Sequence, residues 1–300
     1  MKKTCVVTGG TSGIGFATSY QLAEQGCVVI VVGRNAEKCK VITEKIKKST
    51  GNTNIHYVVG DLSLKKDVMM IAKSLSKFEI NVLINNAGCI MVREEKTSEG
   101  IEKTFALNHL GVFTLTLELI ELLKANNHAR IINVASAAHF NVIDSSSNEK
   151  TNRTLIESIV FKTNFNVNDL QSKNKYKGAQ QYSRSKLMNV LFTYKLALEH
   201  LKGTNITANC LHPGFVASKF GHNNTGFFKS FLKFGQRVGA VSLEDGSRAS
   251  TFLALSDKIK DISGKYFNED CTQIKSSSLS YNKELQDSLW EQSKQLIKLL

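Results

Sequence analysis

The sequence lacks the features that would place it outside the cell or in a membrane. Its first three residues lead directly into an apolar run that is too short for a signal peptide or a membrane span. The six cysteines form no Cys-x-x-Cys pair and show no metal-ligand spacing, which is typical of reduced thiols in a cytosolic protein. We therefore expect a cytoplasmic protein without a transmembrane segment.

Metal and nucleic-acid sites also lack support. The seven histidines form no His-x-x-x-His pair and none stands near a carboxylate cluster with zinc-site spacing, so no protein-bound metal is expected. The net charge is +13, but the lysines are mixed with acidic residues, and no basic stretch has the interleaved aromatic residues needed for base stacking. We expect no nucleic-acid partner and attribute the excess lysine to solubility.

The pattern of apolar runs predicts one α/β domain over residues 1–300. No internal repeat and no linker divides the chain. Buried-strand patterns alternate with helical ones, which predicts a single Rossmann-like, doubly wound domain with a seven-stranded, mostly parallel sheet and helices on both faces. The predicted strands lie at residues 5–8, 28–32, 55–59, 82–84, 130–134, 206–211 and 265–267.

Two segments interrupt the alternation. Residues 137–181 are rich in Ser, Asn, Thr and Lys and are interpreted as an insertion. Residues 215–239 are rich in glycine and phenylalanine and follow the only proline. A long helix is predicted from about 97 to 124, another from about 182 to 201, and an amphipathic helix from about 283 to 300 closes the chain.

Glycines gather between the first strand and the first helix. The pattern Thr8-Gly9-x-x-x-Gly13-x-Gly15 suits a turn whose backbone must approach a pyrophosphate without an intervening side chain. The unpaired N–H groups and the dipole of the following helix then favour the negative charge. The predicted contacts of a dinucleotide in this turn are Gly9, Thr11, Ser12, Gly13, Ile14 and Gly15.

Further candidate contacts follow the next three strands. Arg34 comes after the second strand, where a cation suits a ribose 2'-phosphate, so NADP(H) is the preferred cofactor and NAD(H) the alternative. The same arginine could be an ordinary surface residue. Asp61 and Leu62 follow the third strand and could contact the adenine, although Asp61 would look identical as a helix cap. The turn after the fourth strand contributes Asn86, Ala87 and Gly88.

Tyr182 and Lys186 begin the long helix after the insertion. Their i, i+4 spacing places the phenol and the ammonium on one helix face. A neighbouring cation favours the phenolate, so we expect Lys186 to lower the pKa of Tyr182 towards the range useful for acid–base chemistry. Such pairs are common on helices and gain meaning only beside the other motifs.

Together these motifs resemble the short-chain dehydrogenase/reductase family. The glycine turn, the Asn-Asn-Ala-Gly turn at 85–88, Asn108, Ser136, the Tyr-x-x-x-Lys pair and Pro213-Gly214 occur in the family's order between about residues 3 and 268. The runs around Asn108, Ser136 and Tyr182 look like those of the retinol dehydrogenase and WW-domain oxidoreductase branch. That branch also has an insertion before its tyrosine.

The resemblance implies hydride transfer between a nicotinamide and a carbonyl or alcohol carbon. Tyr182 would be the general acid and base, and Lys186 would hold the nicotinamide ribose and acidify the tyrosine. Ser136 would hydrogen-bond the substrate oxygen, and Asn108 would join a proton relay behind Lys186 through water. The residues bordering the nicotinamide would be Pro213, Gly214, Val216 and Ser218.

The resemblance also bears on substrate and partners. The family places a mobile substrate lid at 215–239, where phenylalanines suit a lipophilic retinoid-, steroid- or aldehyde-like substrate. A core-packing helix and an interfacial helix remain alternatives, which leaves a weak membrane-surface association open. Membrane-bound relatives carry an extra hydrophobic N-terminal stretch that is not seen here. Family members often form homo-oligomers, and a non-catalytic dinucleotide-binding sensor or scaffold is the alternative function.

Overall fold

The computed structural model describes residues 2–143, 160–216 and 242–300. Most neighbouring strands pair in parallel. The longer strands include the β-branched runs that the sequence predicts to be buried. Ten strands occur in the described residues: β1 (Thr4–Thr8), β2 (Val28–Gly33), β3 (Ile55–Val59), β4 (Val82–Asn85), β5 (Ala129–Val134), β6 (Val142–Ile143), β7 (Thr163–Asn164), β8 (Ile206–Leu211), β9 (Tyr266–Phe267) and β10 (Gln273–Ile274).

The central sheet has the order β10-β9-β8-β5-β4-β1-β2-β3. All neighbours are parallel except β9 and β10. The direction of chain progression reverses between β1 and β4, and ligands of open α/β sheets bind at such a switch point, beyond the carboxyl ends of the strands. The Rossmann-like prediction is confirmed. The predicted count of seven strands is wrong by one, because the two-residue β10 adds an antiparallel edge.

Apolar clusters cover both faces of this sheet. Along β1 and β2, Val6 and Ile30 contribute to one cluster, whereas Val7 and Val31 contribute to the other. Successive side chains of a strand point to opposite faces, so an uninterrupted β-branched run supplies both layers at once. The edge strand β3 leaves part of its surface exposed, including Tyr57. The buried sheet therefore provides a rigid base for the turns at its carboxyl edge.

Seven helices are assigned here to the described residues. They are α1 (Gly13–Glu24), α2 (Ala36–Thr50), α3 (Lys65–Leu75), α4 (Lys103–Lys124), α5 (Gly178–Lys195), α6 (Leu243–Leu255) and α7 (Lys283–Leu299). Helix α4 contains a wide π-helical turn at Ala106–Leu110, and α5 continues into a second one at Leu196–His200. Such turns are rare and frequently occur at functional sites.

Two predicted helix starts are shifted. Helix α4 begins at Lys103 instead of about residue 97, because residues 97–101 form a turn and the Glu102 carboxylate caps the first N–H groups of the helix. Helix α5 begins at Gly178, four residues before the predicted start. By length and composition α4 could cross a membrane, but 67% of its most apolar window is buried inside the protein, as in the core helix of a folded domain.

The predicted insertion is described in part. Residues Ala137–Asn141 form a 3-10 helix, β6 pairs in parallel with β7, and Val167–Asp169 form a second 3-10 helix. Residues 144–159 lie outside the described part of the chain. The predicted lid at 215–239 also lies outside it from residue 217 onward.

Candidate active site

The glycine turn lies directly against the turn that follows β4. Gly9 has a φ of +64°, and a Cβ at this position would stand 3.0 Å from the Ala87 Cα. A Cβ at Gly15 would collide with the side-chain amide of Asn86 and the carbonyl of Gly9. Glycine is therefore required at both positions. The backbone stays bare where a pyrophosphate would approach the start of α1, so the turn fits a dinucleotide.

Thr8 joins these two turns. Its Oγ1 accepts hydrogen bonds from the N–H groups of Asn86 at 2.9 Å and Ala87 at 3.0 Å. The Asn86 side-chain amide donates to the Thr8 carbonyl at 2.8 Å. Asn86 thus has a structural role in fixing the switch point. The other predicted residues of the glycine turn are Thr11, Ser12, Gly13 and Ile14, and Ser12 is the N-cap of α1.

Lys186 is buried beneath the Asn-Ala-Gly turn. Its Nζ donates to the Val134 carbonyl at the end of β5, at 2.8 Å, and lies 5.7 Å from the centre of the Tyr182 ring. A Cβ at Gly88 would be 3.6 Å from this Nζ. Burial disfavours the charged form and lowers the pKa of Lys186 to about 8.

Tyr182 and Ser136 meet at the carboxyl edge of the sheet. A hydrogen bond joins their side chains, with Tyr182 on α5 and Ser136 directly after β5. Burial of the phenol raises the pKa of Tyr182 to about 12, and the hydrogen bond from Ser136 opposes that shift. The expected lowering by Lys186 is therefore wrong for this structure. Desolvation is the main cause of the shift, and the Lys186 ammonium is directed to the Val134 carbonyl.

Asn108 lies within the π turn of α4 and is fully buried. Its Oδ1 accepts from the Cys89 N–H at 2.8 Å, and its Nδ2 donates to the Cys89 carbonyl at 2.9 Å and to Ser185 Oγ at 2.9 Å. Ser185 Oγ in turn donates to the Tyr182 carbonyl at 2.7 Å. Asn108 thus connects the turn after β4 with the helix of the tyrosine. Its part in a relay behind Lys186 stays a prediction.

The predicted adenine and ribose contacts follow the carboxyl ends of β2 and β3. Arg34 is exposed immediately after β2. The Asp61 Oδ1 accepts from the Ser63 N–H at 2.9 Å and from its hydroxyl at 2.7 Å, which stabilises a turn between β3 and α3. The helix itself has Leu64 as its N-cap, so Asp61 is not the helix cap that the sequence left open. Leu62 is buried, and its carbonyl lies against Gly111 of α4.

The predicted nicotinamide border follows β8. Pro213 and Val216 are buried, and the Val216 side chain packs against Gly246 of α6. Gly214 lies between them with a left-handed backbone. Ser218, the fourth predicted residue of this border, lies outside the described residues.

Sequence reasoning missed three polar residues that support the site. Ser185 links Asn108 to the tyrosine helix, buried Glu102 caps α4, and buried His139 donates to the Ser136 carbonyl. Ser185 stands inside the Tyr-x-x-x-Lys motif and could have been suspected from that position. Glu102 belongs to no motif. His139 closes the run from 130 to 139 that resembles the retinol dehydrogenase branch, but its partners Ser277 and Tyr266 are distant in the chain. Within the described residues, no group of three or more His, Cys, Asp or Glu side chains could hold a metal ion.

Comparisons with known proteins agree with this geometry. The family model for short chain dehydrogenase matches residues 3–148. Retinol dehydrogenase 12 of Mus musculus is 35% identical over 303 residues, covering 98% of this chain and 86% of that protein. Polyprenol dehydrogenase of Homo sapiens is 33% identical over 307 residues, covering 97% and 84%. The crystal structure of an uncharacterized protein from Mycobacterium Paratuberculosis has a TM-score of 0.72 at 25% identity, covering 99% of this chain and 93% of that one.

The doubly wound fold and the similarity to these dehydrogenases identify the protein as an oxidoreductase that transfers a hydride. The chain belongs to the short-chain dehydrogenase/reductase family and is retinol dehydrogenase-like. The family resemblance drawn from the motifs and the assignment as an enzyme are both confirmed.

Proposed function

We propose that the protein is an NADP(H)-dependent oxidoreductase that interconverts a lipophilic carbonyl compound and its alcohol. The proposal depends on one observation. The Tyr182 phenol, the Ser136 hydroxyl and the buried Lys186 ammonium converge at the sheet's switch point, beside a glycine turn that fits a dinucleotide. When bound, the dinucleotide supplies or accepts the hydride.

The side chains divide the remaining work. In reduction, Tyr182 donates its phenolic proton to the substrate oxygen, and in oxidation the phenolate accepts it. A pKa of about 12 keeps the phenol protonated at neutral pH, which suits the reductive direction. Ser136 hydrogen-bonds both the phenol and the substrate oxygen, and so fixes their relative positions. Lys186 holds the nicotinamide ribose, and Asn108 maintains the turn above it.

The charge of Lys186 predicts a pH dependence. The ammonium is present below its pKa of about 8 and is lost as the pH rises through that value. We expect kcat/KM for the dinucleotide, which reports groups of the free enzyme, to be constant near neutral pH and to fall about tenfold per pH unit well above 8. Arginine stays charged, so the fall of kcat/KM above pH 8 should be absent in Lys186→Arg, even if the overall rate of that variant is lower. If kcat/KM of Lys186→Arg falls above pH 8 as in the wild type, the fall is caused by another group.

Arg34 is the residue on which the cofactor preference depends. A guanidinium and a 2'-phosphate form charge-assisted, bidentate hydrogen bonds, so Arg34→Ala should lower kcat/KM for NADPH about 10- to 100-fold while changing that for NADH less than about threefold. Lys40→Ala removes an equal charge from the exposed face of the following helix and serves as the control. Equal losses with both cofactors would contradict the preference for NADP(H).

The lipophilic substrate is proposed from the relatives and from the sequence. Retinol dehydrogenase 12 and polyprenol dehydrogenase are both named for long apolar alcohols. Apolar walls suit such ligands, and the phenylalanine-rich 215–239 segment supplies candidates for them. We further propose a cytoplasmic location. Flotation with anionic vesicles would test a weak membrane-surface association, and analytical ultracentrifugation would test self-association.

The direct test combines binding with turnover. Fluorescence titration with NADPH and NADH measures both dissociation constants, and nicotinamide absorbance then follows a panel of retinoid, steroid and aliphatic aldehydes, ketones and alcohols. We expect tighter binding of NADPH and turnover of an apolar member. Binding without turnover across the panel would favour the sensor or scaffold alternative, and tighter NADH binding would overturn the assignment of Arg34.

A further inference from the structure

His139 makes two well-defined hydrogen bonds from the first turn after Ser136. Its ring is fully buried. The Nδ1 atom lies 2.7 Å from the Ser136 carbonyl oxygen, and the Nε2 atom lies 3.2 Å from the backbone nitrogen of Ser277. A carbonyl can only accept a hydrogen bond and a backbone N–H can only donate one. His139 is therefore a neutral imidazole with its proton on Nδ1.

This proton acts on the residue that contacts Tyr182. The Ser136 carbonyl accepts from the His139 ring and also from the His139 backbone N–H at 3.1 Å. The Ser136 hydroxyl oxygen accepts from the Ala138 N–H at 3.2 Å. These three bonds fix the peptide and the side chain of Ser136 at the start of the 3-10 helix. The His139 ring is thus the only side chain among these three donors to Ser136.

More distant side chains fix that ring. The Tyr266 hydroxyl of β9 lies 3.4 Å from His139 Nδ1 and 3.0 Å from His212 Nδ1. His212 Nε2 lies 2.7 Å from a carboxylate oxygen of Glu269. With the proton of His139 on Nδ1, the hydrogen bonds run in one direction. The Nδ1 proton points mainly to the Ser136 carbonyl at 2.7 Å, and the Tyr266 oxygen at 3.4 Å is only its weak second acceptor. Tyr266 donates to His212, and His212 donates to Glu269.

We propose that His139 is a positioning residue for Ser136, held in its Nδ1–H tautomer by Ser277 and by the chain of Tyr266, His212 and Glu269. The proposal rests on the proposed function, because it assumes that Ser136 orients the substrate oxygen. Tyr266 of β9 and Ser277, which precedes α7, would then influence turnover without contacting the substrate. The proposal also explains why a buried histidine lies within three residues of a catalytic serine.

A pair of substitutions separates positioning from packing. Asparagine can place an amide donor where the imidazole Nδ1–H lies, whereas leucine fills similar space without a donor. We expect His139→Leu to lower kcat about 10- to 100-fold, with the dinucleotide dissociation constant changed less than about twofold, because small displacements of a reacting group reduce rates strongly. His139→Asn should recover kcat to within about threefold of the wild type. An equal loss in both variants would overturn the role of the donor.

A double-mutant cycle tests whether the effect passes through Ser136. If His139 acts only on that serine, His139→Leu should change kcat less than about twofold in the Ser136→Ala background. Full additivity of the two effects would overturn the proposal. Should His139→Leu fail to fold, His139→Ala also lacks the donor and replaces it in both experiments with the same expected results.

A spectroscopic readout is independent of catalysis. Long-range proton–nitrogen correlation NMR of isotope-labelled protein should show His139 with its proton on Nδ1, and the signal is assigned by its absence in His139→Asn. A proton on Nε2 or a charged ring would overturn the proposal. If the tautomer is as expected but wild-type protein turns over no substrate, the His139 geometry stands and the proposed function fails.

Discussion

The Tyr182→Phe variant is expected to lose about 10²- to 10⁴-fold in kcat, the range that a positioned general acid contributes. The substitution removes one oxygen and leaves the ring in place, 5.7 Å from Lys186 Nζ. The dinucleotide dissociation constant should therefore change less than about twofold, because the glycine turn and Lys186 remain intact. Stopped-flow absorbance at saturating cofactor and substrate measures the first quantity, and fluorescence titration measures the second.

Tyr57→Phe is the matched control for this experiment. Tyr57 is 42% exposed on the edge strand β3, far along the sheet from β5, and loses the same oxygen without touching the site. Its turnover should equal that of the wild type. If Tyr182→Phe retains more than about a tenth of wild-type turnover, the phenol is not the proton donor.

The position of the site was predictable because it depends on local patterns. Buried β-branched runs that alternate with helices and end in glycine-rich or Asn-Ala-Gly turns indicate parallel strands ending at one edge, and the structure does bring Gly9, Gly15 and Asn86 together there. The structure adds that Asn86 and Thr8 join the two turns by hydrogen bonds. The spacing alone could not show that the asparagine has a structural partner.

The protonation state of Tyr182 was not predictable from its spacing to Lys186. A sequence shows that two groups share a helix face, but the pKa depends on how completely each is buried. Here burial raises the pKa of the phenol to about 12 and lowers that of the ammonium to about 8. Both shifts favour the neutral forms, but at neutral pH a pKa of about 8 still leaves the ammonium mostly charged, whereas the phenol is protonated.

Supporting residues were missed for a different reason. His139 interacts with Ser277 and Tyr266, which lie more than 120 residues away in the chain. No periodicity or motif relates such positions. The two-residue strand β10 escaped notice because it is shorter than any alternation that could mark a strand.

Glu102 should be the most sensitive stability site outside the apolar core. Its carboxylate is fully buried at the start of α4 and accepts four hydrogen bonds, from the N–H groups of Thr104 at 2.8 Å and Phe105 at 2.7 Å, from the Tyr176 hydroxyl at 3.1 Å and from the Gln181 amide at 3.0 Å. These donors join the helix of Asn108 to the residue that precedes Tyr182. If the Glu102 carboxylate is removed, each of these four donors loses a hydrogen-bond acceptor in the protein interior.

We expect Glu102→Ala to lower the free energy of unfolding by about 3–5 kcal/mol, because each buried donor that loses its acceptor costs about 1–3 kcal/mol. Chemical denaturation followed by circular dichroism measures this change. Glu102→Gln keeps one acceptor oxygen and should lose less. Glu121→Ala is the control, because Glu121 forms only an exposed pair with Lys124 on the same helix, and it should change stability by less than about 1 kcal/mol. Similar losses at both positions would contradict the role of Glu102 in joining α4 to α5.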